Sequence, residues 1–234
     1  MRTLIIPDLH NHIESADEWI ARFPAERFVF LGDYFDNFGD SPADAHATAL
    51  WLRDSLARPE RIHLWGNHDL AYAFPLNPSL GCSGFTREKA DAIREVLSPL
   101  HWQELRLLHF EAPNFLLVHA GLPRALFEHP VTGLTRERIE SLCAEALDHA
   151  RASIPDPILG PEGVVWVRWW NLDILPEFSQ IVGHTPHHEL KIKRGPANFN
   201  VCLDTMGRYL GIIEDGQFFY ADTRSGEITP VRVS

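Results

Sequence analysis

Apolar residues along the 234-residue chain gather into short runs, and several runs stop at a polar residue that strand propensity does not explain. Thr3-Leu-Ile-Ile-Pro7 stops at Asp8, Phe28-Val-Phe-Leu-Gly32 at Asp33, and Arg61-Ile-His-Leu-Trp-Gly66 at Asn67. Phe115-Leu-Leu-Val118 before His119 and Gln180-Ile-Val-Gly183 before His184 repeat the pattern. Runs this short, rich in β-branched and aromatic residues, predict buried strands. Helical spacing lies between the first of them. Ser15-Ala-Asp-Glu18 reads as a capping box that opens a helix to about Phe23. Ser41 followed by Pro42 opens another to about Ala57, with Ala45, Ala49, Leu52 and Leu56 on one face. Thr86 to Leu97 and Thr135 to about Ser153 read likewise, each begun by a Thr cap. After Val164 the spacing becomes strand-rich: Asn200 to Asp204, Tyr209 to Ile213 and Gln217 to Tyr220, with Glu214-Asp-Gly216 as a hairpin turn. Phe74 to Gly84 reads as a loop placed directly after one of the polar strand ends.

Strands alternating with helices predict an α/β protein, and in such sheets ligands gather at the carboxyl ends of strands, where all five polar residues fall. One site fed by five strands is the economical reading, within a single domain over residues 1–234. At 45% hydrophobic and 23% charged residues the composition is that of a folded chain. The net charge of −11 disfavours non-specific nucleic-acid binding and an anionic membrane as partners. A phosphorylated substrate stays open, because bound cations reverse the field within one cleft. Cys82, Cys143 and Cys202 form no CxxC pair, which predicts neither a disulfide framework nor a thiolate zinc site. No apolar stretch approaches the roughly 20 residues of a membrane span, so the expected location is the cytoplasm.

The strand-end blocks are Asp8-Leu9-His10, Gly32-Asp33 with Asp36, Gly66-Asn67-His68-Asp69, His119-Ala-Gly121 and Gly183-His184-Thr185. Their donors are hard oxygens and imidazoles, a mixture that suits Mn, Fe or Zn. Two residues apart on an extended segment would put Asp8 and His10 on the same side, within reach of one ion. Glycines at 32, 66 and 183 would let the backbone approach the site closely.

In these blocks the sequence resembles the calcineurin-like metallophosphoesterases, whose motifs run D-x-H, G-D-x-x-D, G-N-H-[DE], a lone H and G-H in this order. The resemblance covers Asp8 to His184 and implies a four-layer α/β/β/α sandwich of two mixed β-sheets flanked by helices. It further implies two divalent metal ions, Mn first and Fe or Zn as alternatives. Asp8 and His10 would hold the first ion, Asp33 would bridge both, and Asn67, His119 and His184 would complete the second. Such a pair activates a hydroxide for in-line attack on phosphorus. His68, paired with Asp36, would protonate the leaving oxygen or neutralise phosphoryl charge.

Gly183-His184-Thr185-Pro186 is similar to the branch holding the serine/threonine protein phosphatases and diadenosine tetraphosphate hydrolases; where many nucleases of the superfamily have a second histidine, this chain has Pro186. Val201 to Thr205 and the strand after it resemble the tail of bacterial members of that branch. Trp166-Val-Arg168 resembles an element whose arginine binds substrate phosphate, so Arg168 is the candidate clamp. The chain departs from the protein phosphatases at Asn37-Phe38-Gly39, where they carry Arg-Gly, which leaves Asn37 as the candidate substrate contact there. It also departs at Asn11, where glycine is usual and an Asn would narrow the turn, and His12 adds an imidazole nearby. The expected activity is hydrolysis of a phosphomonoester, either a small molecule or a phosphoprotein. A dinucleoside polyphosphate or other nucleotide, or a phosphodiester or nucleic-acid end, is the alternative. A non-catalytic scaffold on the same fold is the alternative of another class. Trp166, Trp169 and Trp170 are expected to be core more than a stacking platform, and Cys82 has no neighbouring base in sequence to make it a nucleophile.

Overall fold

The computed structural model describes residues 1–128 and 133–232. Its strands are β1 (Arg2–Ile6), β2 (Arg27–Phe30), β3 (Arg61–His63), β4 (Leu108–Glu111), β5 (Phe115–Val118) and β6 (Ser179–Val182). They continue with β7 (Lys191–Arg194), β8 (Phe199–Cys202), β9 (Tyr209–Glu214), β10 (Gln217–Asp222) and β11 (Ile228–Pro230). The helices are α1 (Ile13–Arg22), α2 (Pro42–Leu56), α3 (Asn67–Ala73), α4 (Arg87–Arg94), α5 (Pro99–Gln103), α6 (Arg124–Phe127) and α7 (Arg136–Arg151).

Two mixed sheets result, a six-stranded one in the order β11-β10-β9-β1-β2-β3 and a five-stranded one in the order β4-β5-β6-β8-β7. β1, β2 and β3 run parallel in the first, and β5, β6 and β8 run parallel in the second. Side chains alternate across each strand. Ile5, Val29, Leu117, Ile181 and Val201 therefore meet in a core between the sheets. Leu4, Ile6, Phe28 and Phe30 point the other way, into the cluster that holds Ala16 of α1 and Ala45, Ala49 and Leu52 of α2. Leu116, Val118 and Val182 of the second sheet join Ile139, Cys143 and Ala146 of α7 in that same cluster. This is the expected sandwich of two mixed sheets between helices.

The Ser41 cap of α2 forms as predicted, its hydroxyl accepting from Asp44 N while the Asp44 carboxylate accepts from Ser41 N. Thr86 and Thr135 cap α4 and α7. α1 differs from the prediction. Its N-cap is His12 rather than Ser15, because His10 and Asn11 adopt left-handed backbone, with φ of 43° and 66°, and turn the chain into the helix three residues early. α4 also ends at Arg94 rather than Leu97. The 214–216 hairpin has both Asp215 and Gly216 at positive φ, the conformation of a tight two-residue turn.

Candidate metal centre

Asp8, Asp33 and Asn67 follow the ends of parallel β1, β2 and β3, and His119 and His184 follow β5 and β6. Both sheets thus deliver their loops to one place. Asp8 and His10 meet there, but not along an extended segment as expected: β1 stops at Ile6 and the left-handed turn at His10 swings the imidazole back. His10, Asn11, Asp33, Asp36 and His184 are five of the eight non-glycine residues with positive φ among the described residues. Such conformations cost about 1–3 kcal/mol each and concentrate where side-chain aim matters.

Ligand atoms of Asp8, His10 and Asp33 lie within 4.8 Å of one another, and so do those of Asp33, His119 and His184. Asp33 belongs to both groups. Two glycines make room for them. A Cβ on Gly183 would sit 2.0 Å from Asp8 Oδ2, and one on Gly66 would sit 2.0 Å from Asp33 Oδ1.

The hydrogen bonds leave one nitrogen of each imidazole for the centre. His10 Nδ1 faces Phe35 O at 3.0 Å and His119 Nδ1 faces Leu31 O at 2.9 Å, so each donates there and keeps Nε2 free. His184 is the reverse, donating Nε2 to Trp166 O at 3.0 Å and keeping Nδ1. Backbone carbonyls that orient imidazoles in this way are the usual outer partners of metal-binding histidines.

Three observations test whether a cation fits. Asp8 Oδ2 is buried with no hydrogen-bond partner among the described residues. Asn67 Oδ1 stands 3.1 Å from His119 Nε2, two acceptors facing each other unless a cation or proton lies between. His119 Nε2 is also 3.4 Å from Asp33 Oδ2. Burial disfavours its imidazolium, but Asp33 and Asp8 outweigh that and push His119 up to about 9. Burial, then the repulsion of His119, takes His184 down to about 3, which keeps that ring a neutral donor. The donor set fits divalent cations.

His68 is the second residue of α3, its ring 5.3 Å from that of His10. Its backbone N–H donates to Asp33 Oδ1 at 3.0 Å and its Nδ1 contacts Asp36 Oδ2 at 2.8 Å. Burial opposes the imidazolium most, yet the bonds to Asp36 and Cys82 and the charge of Asp33 together outweigh it and push His68 up to about 11. Half-buried Arg168 reaches His184 O with Nη1 at 3.4 Å. Asn37 turns its amide toward His12 Nε2 at 3.3 Å and accepts from Phe38 N at 2.8 Å. The tryptophans divide: Trp169 is buried, Trp166 packs edge-on against the His184 ring, and Trp170 is 65% exposed. The 74–84 loop closes over Asp36, with Cys82 Sγ 3.7 Å from Asp36 Oδ2.

Sequence reasoning passed over two residues. Asp69 accepts from Gly66 N at 2.8 Å, Asp33 N at 2.9 Å and Tyr34 N at 2.9 Å, tying the Asp33 turn to the start of α3. Its place in the Gly66-Asn67-His68-Asp69 block was the available signal. The other is Lys89, 3% exposed, whose ammonium reaches Asp36.

With five strand-end blocks converging on paired donor groups, the sequence matches calcineurin-like phosphoesterases over residues 1–206. The chain belongs to the calcineurin-like phosphoesterase family. It is accordingly a hydrolase of phosphate esters, in a family that binds divalent metals. Among curated proteins none matches its sequence significantly. In structure this phosphoesterase is similar to the cold-active protein-tyrosine phosphatase of a psychrophilic Shewanella, with a TM-score of 0.66 and 13% identity over 99% of this chain and 80% of that one. A phosphoesterase from E. coli (TM-score 0.48, 13% identity, 100% of both chains) is also similar. So is a metallophosphoesterase from Sphaerobacter thermophilus (TM-score 0.45, 17% identity, 100% of this chain and 88% of that one). At these identities the structural likeness concerns the fold. No helix among the described residues is long and apolar enough to cross a membrane.

Proposed function

We propose that this phosphoesterase is a dinuclear phosphomonoesterase acting on a small phosphomonoester or a phosphoprotein, with Mn as its metal and Fe or Zn as alternatives. Asp8 and His10 would hold one ion, Asp33, whose ligand atoms belong to both groups, would serve the two together, and Asn67, His119 and His184 would hold the other. When bound, the two cations supply Lewis acidity toward the phosphoryl oxygens and toward the attacking water. The protein's own groups do the rest. Arg168 binds a phosphoryl oxygen through its guanidinium. His68, held by Asp36, gives its Nε2 proton to the ester oxygen as the phosphorus–oxygen bond breaks, so the leaving group departs neutral.

The observation that carries the monoester reading is that two protein cations flank the donor cluster, His68 beside Asp36 and Arg168 beside His184. A monoester dianion gains more from these two donor groups, each able to meet one phosphoryl oxygen, than a diester monoanion does. The three free cysteines support a reducing compartment such as the cytoplasm.

The test is hydrolysis of an aryl phosphate monoester, the matching diester and a phosphotyrosyl peptide with Mn²⁺, comparing wild type with His68→Ala. Monoester preference that collapses in the variant is the expected result. Diester preference would overturn the substrate class and favour nucleotide or nucleic-acid substrates.

A further inference from the structure

Asp36 receives more donors than its pairing with His68 requires. Lys89, from α4, places Nζ 2.6 Å from Asp36 Oδ1, and Tyr72 places its hydroxyl 2.5 Å from the same oxygen. Asp36 Oδ2 faces His68 Nδ1 at 2.8 Å, with the weaker Cys82 thiol donor at 3.7 Å. The division is directional. A carboxylate bound through one oxygen alone can swing about its terminal torsion, which is broad. Two donors on the opposite oxygen fix its plane.

The backbone is fixed as well, since Asp36 is left-handed at φ +68° and a Cβ on Gly84 would come within 2.9 Å of Asp36 Cβ. Lys89 also reaches Asp40, at 3.0 Å to Oδ1 and 3.2 Å to Oδ2. Asp40 Oδ2 accepts from Asn11 Nδ2 at 2.9 Å, and Asn11 Oδ1 accepts from Thr48 Oγ1 at 2.9 Å. One buried ammonium therefore ties the Asp36 turn to the turn that carries His10.

We propose that Lys89 is a positioning residue that, with Tyr72, aims Asp36 and through it sets the orientation of His68 toward the substrate's leaving oxygen. This rests on the assignment of His68 as proton donor. The competing explanation is that Lys89 only neutralises two buried carboxylates to keep the fold. The two differ in what they predict when His68 is absent.

The experiment is a double-mutant cycle on the Mn²⁺-loaded protein: wild type, Lys89→Met, His68→Ala and the double variant. Each is assayed on p-nitrophenyl phosphate, a good leaving group, and phenyl phosphate, a poor one. Lys89→Met is expected to lower kcat on phenyl phosphate by about tenfold or more, within the roughly 100- to 10,000-fold that general acid catalysis supplies. The loss is smaller on p-nitrophenyl phosphate, whose departure needs less help, and KM and bound Mn are unchanged. In the His68→Ala background Lys89→Met adds no further loss. Wild-type kcat in Lys89→Met, or the same fold-loss with and without His68, overturns the proposal.

Should Lys89→Met fail to fold, Tyr72→Phe removes a donor from the same oxygen without stranding a charge. A several-fold kcat loss that needs His68 is then expected, and unaltered kcat overturns the proposal. A wild-type enzyme indifferent to His68→Ala would instead sink the role of His68, and this inference with it.

Discussion

Gly183→Ala isolates the metal centre from the fold. Gly183 lies outside the left-handed region, so alanine meets no backbone strain there, and the added methyl acts only through what it touches. Its Cβ would lie 2.0 Å from Asp8 Oδ2 and 3.0 Å from Asp8 Cγ. Bringing the first contact out even to a tight 3.0 Å moves the oxygen by at least about 1 Å, several times the roughly 0.2 Å by which metal–ligand distances vary. Asp8 Oδ2 has no hydrogen-bond partner to lose among the described residues, while Oδ1 accepts from His184 N at 2.9 Å. The displaced carboxylate therefore costs metal affinity first. Disturbing a partner one shell outside a metal site weakens binding by about 10- to 100-fold, and a displaced ligand should lose at least that much. The stability cost should stay within the roughly 1–3 kcal/mol of ordinary overpacking. Calorimetric titration of the metal-free protein with Mn²⁺, alongside the urea midpoint, separates the two effects. Gly81→Ala, whose Cβ meets nothing nearer than Pro78 O at 3.7 Å, is the control. A Gly183→Ala protein that binds two Mn²⁺ ions with wild-type affinity would falsify the placement of Asp8 Oδ2 on a metal.

Asp33→Asn should lower kcat by at least about 100-fold and reduce bound metal below two ions per chain, since one carboxylate serves both donor groups; metal analysis and turnover check it together. Arg168→Ala should raise KM for an aryl monoester roughly tenfold with metal content unchanged, the worth of one charge-assisted hydrogen bond; unaltered steady-state constants would remove Arg168 from the substrate site. Acid should destabilise the protein through His63, which is buried between Tyr34 Oη and Ser55 Oγ, each at 2.9 Å, and which burial and then Arg61 push down to about 3. The unfolded chain binds a proton there near pH 6.5 and the folded chain does not. The stability given by the neutral ring is thus present above that pH and falls by roughly 2–3 kcal/mol at pH 4.5. Urea midpoints at pH 7.5 and 4.5 should show this loss in wild type and a smaller one in His63→Gln.

Asp8, Asp33, Asn67, His119 and His184 were legible as a set because each interrupts a short apolar run. In parallel strands buried on both faces, an abrupt polar residue at the carboxyl end has no packing explanation. The helix caps at Ser41, Thr86 and Thr135 were equally readable, since one hydroxyl and one backbone N–H settle each of them. β7 was not, because Lys191–Arg194 is a largely basic edge strand with exposed ends, around a single Ile192, whose pairing with β8 supplies the structure that its sequence lacks. The start of α1 was misread for a related reason: the Ser15 capping pattern is local, whereas His10 and Asn11 take their left-handed turn to meet Asp33 and Asp40.

Lys89 shows where local reasoning stops. It lies four residues before Ile93, on the face that Ala90 and Ile93 bury. Nothing near it in the chain tells that two acids, 53 and 49 residues earlier, await its ammonium. The sequence by itself determined which residue types stand at the strand ends, and therefore the class of chemistry, because donor identity is a property of single residues. Only the tertiary structure decided which nitrogen of each histidine is free, which oxygen of Asp36 faces His68 and which glycines admit the carboxylates. Those are relations between segments far apart in the chain, and they come into being only when the two sheets pack face to face.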